Sequence, residues 1–147
     1  MMKDNKMPIV VLDTNVFLVS LASHSPYSVI FDALIEGHFT LVVSTEILAE
    51  YEEKIAERYA SDVVTDVFEL FLNLPNIIRQ DIYFNWLLIV SDPDDNKFTD
   101  VAVAVNADYL VSNDKHFNIL TRTDFPKINL IKAEDFILLC QNSLNIN

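Results

Sequence analysis

The stretch Ile9-Val-Val-Leu-Asp-Thr-Asn-Val-Phe-Leu18 decides the reading of this chain. Four apolar residues, Ile9 to Leu12, run straight into Asp13, and apolar residues resume after Asn15. A short continuous apolar run of this kind is a strand buried on both faces, the pattern of a parallel sheet. A carboxylate at its end is out of place as packing and in place as chemistry, because ligands of parallel α/β sheets collect at the carboxyl ends of strands.

The rest of the chain repeats the alternation. Ser28 to Glu36 reads as a helix stopped by Gly37, and Phe39 to Val43 as a second strand. Ser44 or Thr45 caps a helix that runs to about Tyr59 with the stripe Ile47, Leu48, Tyr51 and Ile55. Ser61 caps another, with Val64, Val67, Phe68, Phe71 and Leu72 on its core face and Pro75 at its end. Asn76 to Gln80 fits a strand or a loop, and Trp86 to Val90 is apolar without a clear period. The turn Ser91 to Asn96 leads into a helix from about Asp95 to Asn106. Strands over Tyr109–Ser112 and Ile128–Ile131 and a helix over Glu134–Gln141 complete the pattern. Strands alternating with helices predict a single α/β domain over residues 1–147 with a mainly parallel sheet.

Composition narrows the function. The chain has 147 residues, 51% of them hydrophobic, enough for one sizeable core. Ten basic against 22 acidic residues give a formal charge of −12, the opposite of a general nucleic-acid coat. Such a surface suits solubility or a basic protein partner. Cys140 is the only cysteine, which excludes an internal disulfide and a cysteine zinc cage and fits a cytoplasmic setting. Lys3 and Lys6 precede an apolar run, as in a signal peptide, but Asp13 and Asn15 interrupt it, and no apolar stretch approaches a membrane span. With Gly37 as its only glycine, the chain lacks the loops by which nucleotide-binding folds approach phosphate.

The carboxylates carry the chemistry. Asp13 ends the first strand, Asp114 follows the strand at Tyr109, Asp95 opens a helix in line with Phe98 and Ala102, and Glu50 lies one turn into the helix after the second strand. Converging acids resist ionisation without a cation. Mg²⁺ or Mn²⁺, which prefers oxygen ligands and retains waters, would supply the charge and ready a water for in-line attack on a phosphodiester. Each acid also has a plainer role. Asp13, Asp94 and Asp95 suit helix caps, Asp114 suits a polar turn, and Glu50 stands four residues before Lys54 as in a surface pair. Periodicity alone does not separate Glu50 from Glu46 or Glu53. His24, His38 and His116 read as surface or loop residues, Trp86 as packing, and Asp92, Asp94 and Asp100 as turn and helix-surface residues.

Three segments, VLDTNVFL, VVSTEILAEYEEKI and DPDDNKFTDVAVAVNADYLVSNDKHF, together resemble the PIN-domain family, and within it the toxins of bacterial toxin–antitoxin pairs. The resemblance runs from Ile9 to about Phe117, with a fainter match through INLIKAEDF. It implies a three-layer α/β/α fold and metal-dependent endoribonuclease activity with Mg²⁺ or Mn²⁺. It places the family's acids on Asp13, Glu50, Asp95 and Asp114, an orienting polar residue on Asn15, and the hydroxyl before the last acid on Ser112. It further implies an RNA substrate, an antitoxin partner and, by analogy, a homodimer. Lys97 and Lys115 flank two of the acids and are candidates for steering RNA phosphates. Asn113 stands where the family often has glycine, a substitution that tolerates positive φ, and Thr99 replaces an apolar residue.

Rival readings are a haloacid-dehalogenase-type phosphohydrolase, a receiver domain, a calcium loop and a non-catalytic acidic binding module. The first needs a second aspartate where Asn15 stands, and the second an acidic pair that LDTN lacks. The calcium loop fails at Lys97 and Val103, where glycine and glutamate belong. With the rest of the surface acidic, RNA binding is expected to be weak, salt-sensitive and confined to the site.

Overall fold

A computed structural model describes residues 7–144. Lys3 and Lys6, the lysines ahead of the first apolar run, lie outside the described residues. The elements in chain order are β1 (Ile9–Leu12), α1 (Thr14–Ser20), α2 (Ser28–Ile35), β2 (Thr40–Val43), α3 (Thr45–Arg58), α4 (Ser61–Asn73), β3 (Ile77–Arg79), α5 (Asn96–Ala104), β4 (Tyr109–Val111), β5 (Leu130–Ile131) and α6 (Ala133–Leu144). Two 3-10 segments, Pro93–Asp95 and Lys115–Arg122, precede α5 and follow β4.

The five strands form one sheet in the order β3-β2-β1-β4-β5. Every pairing is parallel, with Val10 opposite Leu41 on one side of β1 and Leu12 opposite Val111 on the other. Val10, Val11 and Leu12 are fully buried, as the uninterrupted apolar run requires. Helices cover both faces, giving the three-layer α/β/α fold. Helix α5 packs on β1 and β4, while α1 meets α2 and α3, and α2 meets α6.

From β1 the chain steps outward through β2 to β3, then returns past β1 to β4 and β5. The direction therefore reverses between β1 and β4. A crevice opens at the carboxyl ends of strands where neighbouring connections diverge in this way. Asp13 leaves β1 and Ser112 to Asp114 leave β4 at that point.

Packing ties the crevice to the core. Tyr51 of α3 is fully buried, stacks on Phe17 of α1 at 4.4 Å and donates its hydroxyl to the Leu12 carbonyl at 2.6 Å. The residue just before Asp13 is thus held by hydrogen bonds and by aromatic contact. Buried Asn76, ahead of β3, donates from its side-chain amide to the carbonyls of Leu34 and Phe39 at 2.9 and 2.8 Å. It secures the end of α2 against the entry to β2.

Several expectations change in detail. Ser44 caps α3, accepting from the Ile47 N–H at 3.2 Å, but Ala60 rather than Ser61 occupies the cap position of α4 and supplies no side-chain bond. Leu72 is 88% exposed, so the core face of α4 narrows to Val67 and Phe71, flanked by Val64 and Phe68. Residues 14–20, which carried no predicted element, form α1, because Val16, Phe17 and Leu18 all find burial once β1 is in the sheet. The segment Trp86 to Val90 takes no regular structure; Ile89 is buried, with Leu87 at φ 56° and 70% exposed and Val90 84% exposed.

Replacing Asn76 with alanine leaves the Phe39 carbonyl without its side-chain donor and weakens the tie to Leu34. Asn76→Ala should cost about 2–3 kcal/mol, read as a lower urea midpoint with an unchanged denaturant slope.

Candidate metal centre at the strand crossover

Asp13 takes the N-cap position of α1, yet its carboxylate makes no capping bond. Instead Oδ2 accepts the Ser112 hydroxyl at 2.6 Å, across the β1–β4 crevice. Ser112 is itself buried, and its Oγ accepts the Asp114 N–H at 3.0 Å. One serine thus positions both strand-end aspartates. Asp114 has a turn role as well, since its Oδ1 accepts the His116 N–H at 2.9 Å and starts the 3-10 segment.

Glu50 enters from α3. Its Oε2 accepts the Thr14 hydroxyl, and its Oε1 lies 2.9 Å from the Lys97 ammonium. The surface pair foreseen with Lys54 does not form; Lys54 meets Glu57 at 3.5 Å. Lys97 also reaches the Asp94 carboxylate at 3.0 Å and the Asp94 carbonyl at 2.6 Å. Its ammonium is therefore engaged between two acids, while Lys115 is exposed.

Asp95 sits at the N-cap position of α5 and, like Asp13, makes no capping bond. Its Oδ2 is buried without a hydrogen-bond partner. Burial, then the charges of Asp92, Asp13 and Asp114, push its carboxyl up to about 7, against a partial offset from His116. Burial and the Asp114 and Glu50 charges likewise raise Asp13, although the Ser112 hydrogen bond pulls the other way. Burial also drives the Tyr51 hydroxyl well above its usual range, reinforced by Asp13 and Glu50. All four acids expected from the sequence thus contribute to one field of negative charge.

The tightest grouping of ligand atoms was not foreseen. Asp92, Asp95 and His116 each place one such atom within 4.8 Å of the others. The Nδ1 of His116 lies 3.5 Å from Asp92 and Asp95 carboxylate oxygens and 3.1 Å from that of Asp114. Asp92 was assigned to a turn and His116 to the surface. The available signal was their spacing, Asp92 one 3-10 turn before Asp95 and His116 two residues after Asp114.

Asn15 is exposed and lines a cavity of about 260 Å³ with Asp13, Val16, Val19, Tyr27, Asn113 and Asp114. The hydroxyl that reaches a carboxylate from this turn is that of Thr14. Asn113 does not use a left-handed backbone, which among the described residues occurs at Leu87, Asn106 and Gly37. Its amide oxygen accepts the Ala133 N–H at 2.9 Å and so ties the Asp114 loop to the start of α6. Thr99 is fully buried, and its hydroxyl folds back onto the Asn96 carbonyl at 2.9 Å, leaving its methyl group to the core. Asn96 clamps the irregular segment before α5, accepting from the Ile89 N–H at 2.8 Å and donating to the Ile89 carbonyl at 3.0 Å.

The sequence profile described as PIN domain matches residues 9–116. This chain belongs to the PIN-domain family. PIN domains are generally nucleases. The haloacid-dehalogenase alternative is thereby set aside. Among solved structures, this PIN domain is similar to a chain of VapBC2 from Rickettsia felis bound to a DNA fragment from their promoter. The identity is 20% and the TM-score 0.58, over 84% of this chain and 98% of that one. It is also similar to PAE2754 from Pyrobaculum aerophilum, at 14% identity and TM-score 0.55, over 92% and 98% of the two chains. No curated protein matches it.

A divalent cation suits this donor set. Oxygen ligands predominate, and Asp95 Oδ2 has no hydrogen-bond partner, only the His116 Nδ1 at 3.5 Å. A carboxyl raised in the fold stabilises the protein fully below its unfolded value of 3.8, and that contribution is lost as pH rises through about 7. In the absence of divalent metal, the urea midpoint should therefore fall over this range, and Asp95→Asn should flatten the fall. Mn²⁺ should restore stability at pH about 8 in the wild type more than in Asp95→Asn.

Proposed function

We propose that this PIN domain is a Mg²⁺- or Mn²⁺-dependent endoribonuclease and the toxin of a toxin–antitoxin pair. The observation that carries the nuclease reading is the half-buried Asp95 carboxylate, whose Oδ2 has no hydrogen-bond partner, set beside Asp13, Asp92 and Asp114 at the strand crossover. Asp13, Asp95 and Asp114 are the proposed metal ligands, with Glu50 completing the acidic set from α3. Asp92 and His116 stand close enough to join or adjust it. The bound ion would neutralise phosphate charge and lower the pKa of a water for hydrolysis of the phosphodiester.

The chain's own residues supply position. Ser112 holds Asp13 with a short hydrogen bond and fixes the Asp114 backbone, so two ligands are preorganised by one hydroxyl. Thr14 and Lys97 hold Glu50 from opposite sides. Lys97 offsets the charge of Glu50 and Asp94, which relieves crowding among the acids. His116 sets its Nδ1 3.5, 3.5 and 3.1 Å from the carboxylates of Asp92, Asp95 and Asp114, close enough to hold them in place around an ion.

The toxin role rests on the resemblance of the sequence to PIN-type toxins and on the likeness to VapBC2. An antitoxin partner and a homodimer belong to the same proposal. Among the described residues no helix is long and apolar enough to cross a membrane.

Labelled RNA incubated with Mn²⁺, Mg²⁺ or EDTA tests the chemistry. Cleavage should require the metal, and Asp13→Asn should slow it roughly 10²–10³-fold, the scale for removing one preorganised electrostatic group. Metal binding without cleavage of any RNA, seen by calorimetry, would instead favour a non-catalytic acidic binding module. Expression of wild type but not Asp13→Asn should arrest growth, and a neighbouring small gene should relieve the arrest.

A further inference from the structure

Cations are unevenly placed on this acidic chain. From Lys115 to Lys132 the sequence carries Lys115, Arg122, Lys127 and Lys132 against one acid, Asp124. All four cations are exposed. Among the described residues the ion pairs involve only Lys54, Lys97 and His116, so these four charges are open to a ligand. The strip begins beside the metal centre, since Lys115 follows Asp114, and its end is tied back to that loop by the Ala133 N–H, which bonds Asn113.

Aromatic rings interleave with the charges. Phe125 lies within the strip and is 80% exposed. Its ring stands 5.8 Å from Trp86, which is 4.8 Å from Phe84, both contacts edge-to-face. The Trp86 N–H is anchored by Asp100 Oδ1 at 3.0 Å, so this arm of the irregular segment is fixed to α5. Asp100, read from the sequence as a helix-surface residue, is buried and serves this anchor. Phe84 is 63% exposed. Exposed rings beside unpaired cations offer stacking faces to bases and charge to phosphates.

We infer that the Lys115–Lys132 strip, with Phe125 and Phe84, is the track that binds single-stranded RNA and feeds it to the metal centre. The inference rests on the nuclease reading and adds where the substrate lies. Elsewhere the acidic surface repels a polyanion, so the strip sets the direction of approach. The 3-10 segment Lys115–Arg122, rising about 2 Å per residue, carries the track roughly 15 Å from Asp114 before Phe125. Single strands are favoured over duplex because stacking on a protein ring needs an unstacked base.

The test uses a fluorescein-labelled 12-nucleotide single-stranded RNA in EDTA, with binding read by anisotropy across a salt series. Arg122→Ala/Lys127→Ala should weaken binding about tenfold and lower the salt slope by about 1.4, since each single-strand phosphate contact contributes about 0.7. Phe125→Ala should weaken binding about fivefold or more with little change in salt slope. Arg58→Ala, an exposed cation off the strip, should bind as wild type does. In Mn²⁺ the strip variants should raise KM for the 12-mer and leave a dinucleotide substrate unaffected. Equal affinity of wild type and strip variants, or tighter capture of poly-glutamate than of RNA, overturns the track. Cleavage with unchanged KM in these variants overturns it and leaves the nuclease standing. Salt-sensitive, strip-dependent binding without cleavage in any metal supports the track and overturns the nuclease.

Discussion

Strand β1 is paired on both edges, with β2 on one side and β4 on the other, and is buried on both faces. Everything at the candidate site depends on that double pairing. The Asp13 N–H bonds the Val111 carbonyl at 3.0 Å, continuing the ladder one residue beyond β1. The Leu12 carbonyl is engaged by Tyr51 from α3. Asp13 is thus held by backbone bonds, and a neighbouring strand supplies Ser112 to aim its carboxylate.

The price of that rigidity is electrostatic. Acids from four separate chain segments lie close enough to repel one another, and Asp13 among them is buried. Asp95 absorbs most of the strain, its carboxyl raised to about 7 with one oxygen unpartnered. Glu50 is held by the Thr14 hydroxyl and the Lys97 ammonium. One acid is neutralised by a lysine while another is left facing its neighbours, an imbalance that an added cation would offset. This is the physical sense of its fit to a divalent cation.

The irregular segment between β3 and α5 serves this arrangement. Asn96 clamps Ile89 and Asp100 anchors Trp86, so a stretch without regular structure is fixed at two points to one helix. Its end delivers Asp92 to Asp95 and His116. Its middle carries the aromatic rings toward Phe125.

Much of this was legible in the chain itself. Apolar runs of four residues, broken by helices of period 3.6, determine a parallel α/β sheet, because only strands covered on both faces can lack polar positions. An aspartate directly after such a run determines a strand-end acid, and the motif order around Asp13, Glu50, Asp95 and Asp114 carries the family. Other features were decided by the tertiary structure. Helix α1 and the exposure of Leu72 follow from which surfaces the assembled sheet covers, and propensity does not report that. Thr14 reaches Glu50 because α3 lies beside α1. His116 comes within reach of Asp92 and Asp95 only when the loop after β4 meets the segment that enters α5, which packs on β1 and β4. Local pattern fixes which residues form strands and helices; proximity between segments far apart in the chain is set by the order in which the strands pair.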